Sequence, residues 1–221
     1  MKRAKRGRQI IRIYSLAKSA SYDTAFQQIL YTIRKGVSEI EQFLISYCAP
    51  TLASLKTASL FKYYFSSEYE MEQRLYALNH QLNYKGVFLE ALYAQGSRAF
   101  IFVYRKSKLK EDLQKSGVRE FLSAYGYRSD SVVICIENLK HRFALGKEFP
   151  HEIGIFLGYP LEDVVGFIEN AGQNSKYTGC WKVYGNECEA MKLFAKYKKC
   201  KSIYQKLFSC GRSVMQLTVA A

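Results

Sequence analysis

Residues 149–164 have the sequence FPHEIGIFLGYPLEDV, and this stretch contains two of the three prolines and one of the three histidines of the chain. The run Ile153–Leu157 is rich in β-branched and aromatic residues and is bounded by proline and glycine, which predicts a buried strand. The following Leu161–Val164 predicts the start of a helix, because Pro160 suits a first turn and acidic side chains favour a helix N-terminus. A strand that leads into a helix is a frequent ligand-binding position in α/β proteins.

The rest of the chain predicts alternating helices and strands. A helix is expected over about Ser67–Leu92, followed by an apolar central strand at Ala99–Tyr104. Strands are expected at Thr178–Tyr184 and Val214–Val219, with a long basic helix at Glu187–Phe208 between them. Long crossovers between apolar strands favour an α/β sandwich, in which helices flank a mixed or mainly parallel sheet.

Composition indicates a folded globular protein, since 48% of the 221 residues are hydrophobic and 15% are aromatic. We expect a basic N-terminal arm at residues 1–22 and a single α/β domain at residues 23–221. No apolar run reaches the roughly 18 residues that a membrane span needs, and Arg12 interrupts the apolar residues near the N-terminus. The sequence therefore predicts a cytoplasmic protein without a membrane span.

The net charge of +14 is concentrated at the two ends of the chain. Residues 1–22 contain seven basic residues and no acid, and residues 190–221 contain another seven and no acid. The 19 remaining bases are balanced by 19 acids. Basic ends can bind phosphate polymers through counterion release, so nucleic acid is one predicted partner, and a solvated charged tail is the alternative.

The six cysteines have spacings that match neither a redox pair nor a zinc ribbon. Because the chain shows no secretory signal, we expect reduced thiols. Cys188, Cys200 and Cys210 are considered as a small metal site, but free cysteine also behaves as a buried apolar residue, and no metal ligand is predicted from this set.

Six short motifs of the chain form a recognisable set: Cys48–Leu52, Pro150–Gly154, Phe156–Pro160, Asp163–Val164, Gly166–Ile168 and Trp181–Tyr184. Together they resemble an uncharacterised bacterial and archaeal family catalogued as domain of unknown function 3793. The resemblance covers roughly residues 40–206, and the preceding residues 1–22 look like an addition to the usual start of the family. It implies no activity and no catalytic residues.

The segment His151–Gly158 also resembles the strand of papain-like thiol hydrolases, in which a histidine at the start of a strand activates an upstream cysteine. Under this interpretation Cys48 is the nucleophile and His151 is the base. Either Asp163 or Glu152 orients the imidazole ring. The alternative for His151 is a structural hydrogen bond at the end of a strand.

A metal site would have to use acids and a thiol near the same segment. The candidate ligands near this segment have spacings that match no standard metal site. Stabilisation of the first turn of a helix explains the presence of the acidic residues equally well. The set comprises His151, Glu152, Glu162, Asp163 and Cys180.

The leading hypothesis is a cytosolic α/β binding or accessory protein that holds a small anionic ligand or a redox cofactor. Two glycine-flanked strands, at Ile153 and Gly179, would form opposite walls of its pocket. The sequence names neither the ligand, nor a cofactor, nor an oligomeric state. The alternatives are the thiol hydrolase and a nucleic-acid-associated protein. The predicted ligand-binding residues are His151, Glu152, Tyr159, Asp163, Lys182 and Tyr184.

Overall fold

The computed structural model of the protein describes residues 39–129, 131–146 and 149–220. The chain divides after Gln42 into two units, and residues 39–42 are the described part of the first. The predicted arm at residues 1–22 lies outside the described residues.

Helices make up most of the described chain, and a short 3₁₀ turn at Asn83–Lys85 follows the second of them. The helices are α1 (Glu39–Leu52), α2 (Glu68–Leu82), α3 (Lys106–Leu113), α4 (Val118–Ser123), α5 (Val132–Leu145), α6 (Ile153–Phe156), α7 (Leu161–Glu169), α8 (Glu187–Ser209) and α9 (Val214–Leu217). The strands are β1 (Ala58–Tyr64), β2 (Val87–Gln95), β3 (Arg98–Arg105), β4 (Tyr177–Thr178) and β5 (Lys182–Val183).

The protein is a mixed α/β structure, but its sheets are antiparallel, so the predicted mixed or mainly parallel sheet is wrong. The larger sheet has the order β1-β3-β2. Its strands β2 and β3 form a hairpin, with Gln95 opposite Arg98. A connection of two residues can join only antiparallel neighbours, whereas parallel strands need a long crossover. The second sheet is the small β4-β5 hairpin.

The wrong prediction of the sheet arises at strand β2. The sequence predicts part of this strand as the C-terminal end of a helix. The helix α2 ends at Leu82, and Gly86 adopts a φ of 77°, which is left-handed. Glycine tolerates this conformation without steric cost, so the chain turns there and continues as a strand. The hairpin that follows replaces the expected long crossover between distant strands.

The main core lies between the larger sheet and the helices that follow it. Phe102 of β3 is fully buried, and the side chains packed with it come from α3, α5, α6 and α7. These include Leu109, Leu139, Phe156 and Val164. A smaller second cluster joins the β4-β5 hairpin to α8. Among the described residues, no helix combines the length and apolar composition that a membrane span requires.

Candidate functional site

The segment predicted to be a buried strand, Ile153–Leu157, contains the short helix α6 instead, so that prediction is wrong. Backbone N–H groups of residues 153–155 donate three residues back, starting with Ile153 to the carbonyl of Pro150 at 3.1 Å. Gly158, with φ of 77°, ends the turn and leads the chain to α7. Residues Ile153–Phe156 are all buried, so apolar composition could not distinguish a strand from a helix here.

Asp163 in the first turn of α7 holds the β4-β5 hairpin in place. Its Oδ1 accepts hydrogen bonds from the backbone N–H groups of Tyr184 at 2.7 Å and Gly185 at 2.8 Å. Its Oδ2 accepts from the indole Nε1 of Trp181 at 2.7 Å. The side chain is a structural acceptor for three N–H donors, because both of its oxygens are engaged.

Glycines allow the hairpin to lie against α7 at close range. A Cβ atom at Gly166 would overlap the ring of Tyr184, and one at Gly185 would overlap the side chain of Glu162. Tyr184 also donates from its hydroxyl to the carbonyl of Gln173 at 2.8 Å. These contacts fix the position of the hairpin on the helix.

Trp181 connects the hairpin to the second cluster through two aromatic contacts. Its ring stacks on that of Tyr159, with centroids 4.5 Å apart and planes inclined by 23°. Phe194 of α8 meets it edge-on at 4.5 Å and 86°. Trp181 is 9% exposed, so it is largely buried and still lines the neighbouring pocket.

A pocket of about 290 Å³ lies between α6, α7 and the tip of the hairpin. Four of the predicted ligand-binding residues line it together: His151, Tyr159, Asp163 and Lys182. Its size is near the lower end of the roughly 300–1,000 Å³ typical of small-molecule sites. The remaining lining residues are mainly apolar, and they are Ile153, Gly154, Leu157, Val164, Phe167, Thr178, Gly179, Cys180 and Trp181.

The polar side chains of the pocket differ in the contacts that they already make within the protein. Lys182 donates from Nζ to the carbonyl of Gly172. His151 is exposed, and its ring contacts those of Phe149, at a centroid separation of 5.7 Å, and Phe167, at 5.0 Å. Because the oxygens of Asp163 accept three hydrogen bonds, the basic groups are the ones placed to meet a ligand.

Two predicted ligand-binding residues do not line this pocket. Glu152 is 1% exposed, forms an ion pair with Arg142 and accepts from the hydroxyl of Tyr127 at 3.2 Å. Burial and the charge of Glu152 raise the pKa of Tyr127. Glu152 therefore belongs to a buried network beside the pocket. The second residue, Tyr184, packs on Gly166 of α7.

Cys48, the predicted nucleophile, lies within α1 and is fully buried. Burial raises the pKa of its thiol to about 12, although the charge of Lys56 and a hydrogen bond with Ser59 lower it in part. A nucleophilic cysteine needs a thiolate near neutral pH, and this environment has the opposite effect. Cys48 is not one of the residues that line the pocket with His151.

The structure also separates the groups considered as metal ligands. Within the described ranges, no three His, Cys, Asp or Glu side chains are grouped so that they could hold a metal ion. Cys188 and Cys210 lie at opposite ends of α8, roughly 33 Å apart along a helix that rises 1.5 Å per residue. Cys200 is buried between them.

Lys56 was not predicted from the sequence. It lies in the turn between α1 and β1, and its Nζ is 5.1 Å from the ring centroid of Tyr159. Burial lowers the pKa of Lys56 to about 8, while the neighbouring thiols of Cys48 and Cys180 raise it in part. No local sequence signal indicated this position, because Lys56 and Tyr159 are brought together only by folding.

The fold and the site define a mixed α/β protein with a cavity of about 290 Å³ beside a hairpin that Asp163 holds in place. The chain belongs to the family described as "Protein of unknown function (DUF3793)", whose profile matches residues 44–218. The predicted family membership is therefore confirmed. No significant match to the chain was found among curated proteins or among solved structures.

Proposed function

We propose that the protein binds a small ligand with a flat apolar body and one anionic group in the pocket between α6, α7 and the β4-β5 hairpin. The observation that supports this proposal is the convergence of His151, Tyr159 and Lys182 around a largely apolar cavity. Pockets of this kind combine an apolar lining with a few polar groups that fix the orientation of the ligand.

The preference for an anion follows from the charges that line the pocket. Asp163 is its one carboxylate among the described lining residues, and both oxygens of that carboxylate accept hydrogen bonds from the hairpin. Lys182 contributes a positive charge, and Lys56 lies behind Tyr159. An anionic group could therefore meet the ammonium of Lys182, whereas a cation would find the oxygens of Asp163 already engaged by three N–H donors.

The apolar part of the ligand would lie against the side chains of Ile153, Leu157 and Phe167. Burial of apolar surface contributes about 25 cal/mol per Å², so this contact would supply most of the affinity. A planar redox cofactor satisfies the same description, and a visible absorption band of the purified protein would identify it. A colourless metabolite with a carboxylate or phosphate group is the other ligand class.

The single tryptophan provides a direct test, because Trp181 lines the pocket. Titration with 1-anilinonaphthalene-8-sulfonate should quench the emission of Trp181 in a saturable manner. Lys182→Met should weaken binding about tenfold, as expected for a charge-assisted contact. The matched control is Lys176→Met, since Lys176 lies on the same hairpin and its Nζ also donates to a backbone carbonyl, that of Gly185. Equal affinities in all three proteins would contradict the proposal.

A second candidate function, association with nucleic acid, is favoured by the surface of α8. Lys192, Lys196, Lys199 and Lys206 are exposed and follow spacings of four, three and seven residues, which place them on one helical face. Lys192 is paired with Glu189, whereas the other three form no ion pair with a described residue. A face of this kind would contact phosphates without reading bases.

Salt dependence tests this second candidate. If the face binds duplex DNA, combined Lys196→Gln and Lys199→Gln should reduce the slope of log affinity against log salt by about 2. Lys62→Gln with Lys110→Gln removes two exposed lysines from other elements and should leave the slope of the wild type. An unchanged slope in the first double variant would reject α8 as the binding face.

A further inference from the structure

A second cavity, of about 480 Å³, is lined by the ends of α5 and α7 and by the segment before α6. Arg142 and Leu145 of α5 contribute to it, together with Phe149 and Ile168. His151 lines both this cavity and the ligand pocket, so the two are neighbours. The volume of the second cavity lies within the roughly 300–1,000 Å³ typical of small-molecule sites.

Two large apolar side chains of this cavity are exposed. Leu145 is 57% exposed and Phe149 is 43% exposed. The ring of Phe149 is held by an edge-on contact with Phe143, at a centroid separation of 5.4 Å and an interplanar angle of 89°. Covering such apolar surface with a ligand is favourable, so the cavity suits a ligand with an apolar body.

The guanidinium of Arg142 is held in position by two contacts. Its Nε donates to the buried carboxylate of Glu152, which also accepts from the hydroxyl of Tyr127. Its central carbon lies over the ring of Tyr125, 5.3 Å from the centroid. Because the guanidinium is planar, a partner at Nε and a ring against one face restrict its orientation.

The terminal nitrogens of Arg142, Nη1 and Nη2, are available to a ligand. Within the described part of the chain, Arg142 forms no hydrogen bond other than the one with Glu152. No side-chain nitrogen of these residues is both fully buried and without a hydrogen-bond partner, so solvent reaches Nη1 and Nη2. Glu152 also lines the cavity, but its side chain is 1% exposed, compared with 34% for Arg142. The N–H donors of Arg142 therefore provide most of the polar surface beside this ion pair.

We propose that the second cavity binds a small aromatic carboxylate. Nη1 and Nη2 of Arg142 donate to the two carboxylate oxygens, since two parallel N–H donors match the geometry of a carboxylate. The aromatic ring of the ligand lies against Phe149 and Leu145. This site is separate from the pocket between α6, α7 and the β4-β5 hairpin, and neither site requires the other.

The test follows two reporters in one series of ¹H–¹⁵N NMR spectra of the full chain. The backbone amide of Leu145 reports on the second cavity and the indole N–H of Trp181 on the ligand pocket, because neither residue lines the other cavity. Benzoate should shift the amide resonance of Leu145 in a saturable manner. Benzamide has nearly the same shape but no charge, and it should need a concentration about tenfold higher. Acetate lacks the ring and should also bind more weakly than benzoate.

Arg142→Lys keeps the positive charge but cannot form two parallel hydrogen bonds, so the affinity for benzoate measured at Leu145 should fall about tenfold. Arg74→Lys changes an exposed arginine of α2 and should leave this affinity unchanged. Lys182→Met should leave it unchanged as well, which separates this inference from the proposed function.

Equal responses of Leu145 to benzoate and benzamide would overturn the second site, even if the indole of Trp181 responds. An unchanged affinity in Arg142→Lys would overturn it too. The comparison of benzoate with benzamide uses the wild type, so it remains decisive if the variant folds poorly. A selective response of Leu145 to benzoate, lost in Arg142→Lys, would support the second site whether or not Trp181 responds.

Discussion

The carboxylate of Asp163 and the indole of Trp181 are joined by a hydrogen bond of 2.7 Å that connects the first turn of α7 to the β4-β5 hairpin. Because the other oxygen of Asp163 accepts two backbone N–H groups of the same hairpin, a single side chain fixes one wall of the pocket. Asp163, which the sequence predicts to bind ligand or to orient a histidine, lines the pocket and also holds one of its walls in place.

Asp163→Asn tests this organising role. The amide can accept from the backbone with its oxygen, but its NH₂ group would then face the indole N–H of Trp181, and two donors would oppose each other. We expect a loss of about 1–3 kcal/mol in the free energy of unfolding and a red shift of the tryptophan emission. Glu169→Gln removes a carboxylate from an exposed position at the other end of α7 and should have little effect. If Asp163→Asn has the stability and the tryptophan emission of the wild type, Asp163 does not hold the hairpin in place.

Trp181→Ala should lower the free energy of unfolding by roughly 3–5 kcal/mol, because the indole is 9% exposed and lies between Tyr159 and Phe194. Trp181→Phe retains one ring and should lose less. Chemical denaturation followed by circular dichroism measures both, since the fluorescent probe is removed. Near-normal stability of the alanine variant would mean that the ring contributes to binding rather than to packing.

The guanidinium of Arg105 connects β3 to the end of α1 and to the C-terminal segment. It is 1% exposed and donates to the carbonyls of Thr51 at 2.6 Å, Leu52 at 2.7 Å and Val219 at 2.8 Å. Arg105→Met should therefore cost about 3–5 kcal/mol and expose the C-terminal residues to proteolysis. Arg98→Met, at the exposed start of β3, is the control. Resistance of the C-terminus to protease in the Arg105 variant would refute this connection.

Lys56→Met should stabilise the protein at neutral pH and do so less at high pH. The pKa of Lys56 is lowered to about 8 in the folded state from 10.5, so the unfolded chain binds more protons between these values. The free energy of unfolding of the wild type therefore rises relative to that of the variant as the pH increases from about 8 to 10.5. The destabilisation by the buried charge is greatest below pH 8. We expect a gain of about 1–2 kcal/mol at pH 7 that shrinks by pH 10. A gain independent of pH would contradict the assigned environment.

Native alkylation distinguishes the cysteines and tests the thiol-hydrolase hypothesis. The buried Cys48, with its pKa raised to about 12, should react with iodoacetamide at least 100-fold more slowly than the exposed Cys188 and Cys210. Peptide mapping after short exposure provides the rates. Rapid labelling of Cys48 that slows in His151→Ala would instead establish the thiol–imidazole pair.

Sequence reasoning succeeded where the local signal was strong and continuous. The helix expected at Glu187–Phe208 is α8, with nearly the same bounds, and the strand expected at Ala99–Tyr104 is the centre of β3. It failed for Val214–Val219, where α9 forms instead of a strand. The overlooked signal was a capping box, in which Ser213 and Gln216 exchange hydrogen bonds.

The pocket was partly predictable for a related reason. His151, Tyr159 and Lys182 lie in short segments rich in glycine and aromatic residues, which identified the region without the correct secondary structure. The engagement of Asp163 and the approach of Lys56 to Tyr159 depend on tertiary contacts between distant segments. Neither of these features leaves a periodic pattern in the sequence.

The charge preference of the pocket tests the central proposal most directly, because two probes can share one apolar body and differ only in charge. The indole N–H resonance of Trp181 should shift in a saturable manner with 1-naphthoate, at concentrations about tenfold lower than with 1-naphthylmethylammonium. Lys182→Met should reduce that difference, while Lys176→Met should preserve it. A resonance that responds to neither probe, or equally to both, would contradict an anion-binding pocket at this site.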